Sequence, residues 1–144
     1  MGFTALGKTE SAKEHFEKAM QIAQQLNDPE RMLSVRLGQV DLSLQNHDVK
    51  PDSKTIRRLF EEVEESEYAD LMPRAQRCVA RIVEREGSVE EALKTYQAAV
   101  DSAENLKNQY ERQQSLLAMI EFCRRHNRKE QVEYERRLAK IRPR

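Results

Sequence analysis

The chain has 144 residues, one domain's worth, with 35% charged and 38% hydrophobic residues and a formal net charge of zero. No run approaches the roughly 18 apolar residues of a transmembrane helix, and the opening MGFTALGKTE lacks the basic start and apolar core of a signal peptide. Such charge, with four glycines, four prolines and no Trp, suits helices with narrow buried stripes and broad solvated faces.

The apolar spacing predicts a helix from Thr9 to Leu26, with Ala12, Phe16, Ala19, Met20 and Ala23 on one stripe. Asp28 and Pro29 then read as N-cap and first turn of a helix that reaches about Leu44. After a polar turn near His47, Pro51 is placed to open a third helix carrying Ile56, Leu59, Phe60 and Val63. A break from Ser66 to Pro73 precedes a helix with Ala75, Val79, Ile82 and Val83, which ends at Gly87. Ser88 and Glu91 have capping-box spacing and begin the fifth helix. Asn108 marks a short turn before the helix of Leu116, Met119, Ile120 and Cys123, and a weaker seventh helix holds Val132, Leu138, Ala139 and Ile141. No convincing strand appears, and no linker is long enough to divide domains.

A repeat underlies this order. Gly7 and Gly87 lie 87 − 7 = 80 residues apart, and at that offset Ala12 falls on Ala92, Phe16 on Tyr96, Ala19 on Ala99 and Ala23 on Ala103. At half the offset, the stretches near His47 and Asn127 carry weaker copies, the last with Arg136 in the aromatic's place. A period of 40 residues in a helical pattern predicts a solenoid of helix pairs, none able to bury its apolar face alone.

The units beginning at Gly7 and Gly87 resemble tetratricopeptide repeats in their longer form. The marks are Gly87, Ala92, Tyr96 and Ala99, with Ala80 where paired helices approach closely, and in the other copy Gly7, Ala12, Phe16 and Ala19. The resemblance implies an all-α, right-handed superhelix, an α-solenoid of antiparallel helix pairs with about seven helices. It places one domain over 1–144 in units near 1–28, 29–68, 69–108 and 109–144. Only Phe3 to Leu6 represent the first helix of the first unit, so the chain reads as a segment of a longer array.

The family's usual activity is binding proteins or peptides, in a groove lined by the first helix of each unit. Arg74, Arg77, Arg81 and Arg85 recur at spacings of three, four and four, so they share one face, which the family register makes the groove. The register sets Gln114, Leu117, Arg124 and Arg125 beside them. Guanidiniums bind carboxylate and phosphate bidentately, which points to an acidic or phosphorylated peptide. The plainer alternative is a solvated stripe partly paired with Glu84 and Glu86. The carboxylate clamp of chaperone-binding members needs two Asn that this groove does not offer.

Other motifs are weaker. Gly2 to Thr9 match the P-loop string in full, but the mechanism needs a strand before the loop, and Gly7 already has its equivalent in Gly87. His15, His47 and His126 fall in different units, and Cys123 with His126 is half a zinc site at best. Neither a metal, a cofactor nor a catalytic pocket is expected. Cys78 and Cys123 read as reduced, buried residues of an intracellular, cytoplasmic protein.

Charge is uneven: residues 1–75 carry 10 − 14 = −4, and residues 117–144 carry 9 − 4 = +5. Two further readings therefore stay open. One is an RNA-processing scaffold of half-a-tetratricopeptide type using the basic end, which the near-neutral chain and the lack of interleaved aromatics disfavour. The other is self-assembly into a homo-oligomer through exposed terminal helices.

Overall fold

The computed structural model describes residues 2–45, 50 and 52–141, with side chains described from residue 10 onward. Among the described residues the chain is all-helical, with seven α-helices and no strand. They are α1 (Gly2–Gln25), α2 (Pro29–Gln45), α3 (Ser53–Glu65), α4 (Met72–Arg85), α5 (Val89–Leu106), α6 (Gln109–Arg125) and α7 (Gln131–Ile141). A 3-10 turn at Ala69–Leu71 leads into α4. The turn near His47 and the opening role of Pro51 lie outside the described residues. Where the spacing predicts one domain, the helices group into two compact units, Met1–Asp52 and Ser53–Arg144.

In the first unit α1 packs on α2, burying Ala23, Val35, Leu37 and Leu44. The start of α2 follows its local chemistry, since the Arg31 N–H donates to Asp28 Oδ1 at 3.1 Å. The expected helix end at Gly7 is corrected: α1 runs unbroken from Gly2 to Gln25. A glycine inside a helix weakens it but ends it only where the chain turns into positive φ, and Gly87 is the one described glycine that does so. The P-loop string therefore lies within a helix, where its amides bond to the preceding turn rather than ring a phosphate.

In the second unit consecutive helices pack in sequence, with α4 also touching α6. Side-chain links set the direction: Arg77 of α4 meets Glu111 and Ser115 of α6, and Glu84 further along α4 meets Arg125 further along α6. These two helices thus run parallel, with α5 returning between them. The core gathers Ala80, Val83, Tyr96, Val100, Leu116 and Phe122. Ala80 has no exposed surface and lets α4 and α5 come close.

The backbone carries the period. Positive φ occurs at Asn27, Gly87, Lys107 and Asn127, so 107 − 87 and 127 − 107 are both 20 and 87 − 27 is 60. One helix plus its turn takes 20 residues, and two make the 40-residue unit. Asn27, Gly87 and Asn127 close the same pair of hydrogen bonds over a helix end; at Gly87 these are Ser88 N–H to Val83 O and Gly87 N–H to Glu84 O. The capping box at Ser88 does not form. Ser88 holds the cap position at φ −92° and ψ 80°, outside the usual extended cap geometry, and its side chain makes no capping hydrogen bond. Asn108 does cap, accepting from the Glu111 N–H at 3.1 Å.

Lys107 holds the left-handed conformation at φ 57° with a Cβ attached. Replacing it with glycine is expected to stabilise the fold by about 0.5–1 kcal/mol. Gly87→Ala should destabilise by about 1 kcal/mol. An added Cβ at Gly87 would meet nothing within 4 Å, so that cost is backbone strain alone. Urea midpoints of the two variants check both signs.

Candidate binding faces

The arginine stripe of α4 is divided by its surroundings. Arg77 is buried with 7% of its surface exposed, and its Nη1 donates to Glu111 Oε1 at 2.9 Å and to Ser115 Oγ at 2.8 Å. Its assignment to a partner-binding groove is corrected, because α6 lies over that side of α4 and takes up the guanidinium. Arg74, Arg81 and Arg85 remain half-buried at the surface of α4 and engage in further contacts within the chain. Gln114 and Leu117 are half-buried on α6, and Arg124 and Arg125 are exposed near its C-terminus.

Arg125 does not stand ready for a partner either. Its Nε and Nη2 grip Glu84 at 2.9 and 2.8 Å, and His126 Nε2 lies 2.7 Å from the same carboxylate. Tyr96 OH approaches Glu84 at 3.4 Å, and the Phe122 ring packs at 4.8 Å from His126. Burial pushes the Glu84 carboxyl up, but hydrogen bonds from Arg125 and His126 outweigh it and hold the group below its ordinary value of 4.5. Burial, with Glu84 alongside, pushes the Tyr96 hydroxyl up to about 12. Glu86 reaches the other way, to Arg57 of α3 at 3.0 Å.

This node gives a pH dependence of defined sign. Glu84 is more acidic folded than unfolded, so acidification protonates the unfolded chain first. Its contribution is full above 4.5 and is lost as the pH falls through the lower folded value. Glu84→Gln should therefore be less stable than the parent near neutral pH, with the gap closing toward about pH 3. Urea unfolding of both chains across that range measures it.

The basic end is largely internally paired. Arg128 bridges Glu90 and Glu130, Arg136 pairs with Glu133, and Arg137 with Glu104 and Glu133. Arg137 also lies over the Tyr134 ring at 5.2 Å. Both cysteines are buried and free, and burial pushes the Cys123 thiol up, away from a reactive thiolate.

Leu117 and Arg124 come together in an arrangement the stripe did not foretell. With Ile120 of α6 and Glu135, Leu138 and Ala139 of α7 they line an open cleft of about 470 Å³. The apolar spacing of 117 and 120 on α6, and of 138 and 139 on α7, was visible, but not that these pairs face one cleft. Among the described residues no cluster of His, Cys, Asp or Glu suits a metal ion, and no helix is long and apolar enough to cross a membrane.

The class defined by this packing is an all-helical protein of sequentially stacked hairpins. No protein-family model matches the chain, and no match is found among curated proteins or solved structures.

Proposed function

We propose that the chain is a non-catalytic protein-interaction module of tetratricopeptide-like helix pairs, working inside the cell and holding an acidic or phosphorylated segment of a protein partner on the α4–α6 face. The observation that carries this is the Arg77 bridge to Glu111 and Ser115, which pins α4 against α6 and presents Arg74, Arg81 and Arg85 on a preformed surface beside Gln114. Preformed donors spend little ordering entropy on binding, and arginine forks favour carboxylate and phosphate groups. A right-handed solenoid would extend this face from unit to unit. The nucleic-acid alternative is disfavoured, since Arg125, Arg128, Arg136 and Arg137 already meet carboxylates.

The test is an array of acidic and phosphorylated peptides, probed with the full chain and with Arg74→Ala/Arg81→Ala. Micromolar binding lost in the double variant, with helicity by circular dichroism retained, supports the reading. Binding indifferent to those arginines, or no binding to any peptide, sinks it. Arg77 is left intact because its removal would test folding instead.

A further inference from the structure

The cleft between α6 and α7 has an apolar floor, Leu117 and Ile120 from one helix and Leu138 and Ala139 from the other. Its rim carries one cation and one anion, contributed by opposite helices: Arg124 from α6 and Glu135 from α7, both exposed. Helix faces of this kind are ordinarily covered by another helix.

We infer that the cleft is the contact surface of a two-fold symmetric dimer of this chain, its occupant being the same hairpin of a second copy. The charge pattern selects that occupant. A two-fold axis running along the cleft sets α6 of each copy over α7 of the other, so Arg124 meets the partner's Glu135 and Glu135 meets the partner's Arg124. The surface is its own complement, as an isologous interface requires. The apolar floors then close on each other as four packed helices. A formal net charge of zero leaves no overall repulsion between copies. This contact is separate from the α4 arginines and stands or falls independently of peptide binding.

Sedimentation equilibrium on the full chain tests it, with far-UV circular dichroism to confirm that each variant folds. A monomer–dimer equilibrium is expected. Arg124→Glu alone sets Glu against Glu, Glu135→Arg alone sets Arg against Arg, and each should weaken association about tenfold or more. The combined Arg124→Glu/Glu135→Arg chain re-forms both pairs in reverse and should return to within about threefold of the parent. Ala139→Asp, at an exposed floor position, should abolish the dimer. A chain that stays monomeric up to about 1 mM overturns the inference. So does a dimer unmoved by the single reversals, or one that the double reversal fails to restore.

Discussion

Replacing Arg77 with alanine is expected to destabilise the protein by about 3–5 kcal/mol, the usual cost of removing one partner from a buried ion pair. Arg77 and Glu111 side chains are each 8% exposed, so water cannot take over the solvation of whichever charge remains. Ser115, with no exposed surface, would also lose the donor to its hydroxyl. The loss is asymmetric: changing Arg77 and Glu111 together to methionine removes both desolvation penalties and should recover most of the stability. Urea unfolding of the two single variants and the pair completes the cycle. A cost below about 1 kcal/mol for Arg77→Ala would contradict the buried-pair account. The consequence for function is direct: lost partner binding in Arg77→Ala would report a loosened α4–α6 junction, not a lost contact.

Phe122→Ala should cost about 3–5 kcal/mol, as large-to-small changes at filled core sites do. Phe122 has no exposed surface and packs against Tyr96 of α5, their ring centroids 5.0 Å apart. On its other side it supports His126, the C-cap of α6 and a contact of Glu84. The cavity would therefore undercut the apolar core and slacken the Glu84 node together. Phe122→Leu, which refills part of the space, should lose less than half as much. Thermal melts followed by far-UV circular dichroism rank the three chains. Phe122→Ala and Glu84→Gln should not add, because both act on the same junction.

Local chemistry was legible wherever one residue settles one turn. Asp28 and Pro29 start α2, Asn108 caps α6, and Gly87 ends α4 with a φ of 93° that side chains rarely adopt. Ser88 shows the limit: the capping-box letters are present, but the backbone at the cap sits outside the range in which they close. Gly7 shows another, since a letter equivalent to Gly87 by repeat lies inside a continuous helix. The arginine stripe was read correctly as sharing one helix face by spacing, but spacing says nothing of what covers that face. Three of its members stay at the surface while α6 buries the fourth.

By itself the sequence determined the helices and the 20-residue step between their turns, because both follow from interactions a few residues long. It also determined which stripe of each helix is apolar. Tertiary structure decided how far those stripes are buried. Ala92, Tyr96, Ala99 and Ala103 are fully enclosed where α5 lies between α4 and α6, while their equivalents Ala12, Phe16 and Ala19 stay half-exposed on α1, which packs on α2, and only Ala23 matches. It likewise turned Arg77 into a buried bridge, gave Glu84 to Arg125 and His126, and brought Leu117 and Arg124 to one cleft. These pairings join residues some 20 to 40 positions apart, and a helix's own periodicity carries no information about its neighbours' register.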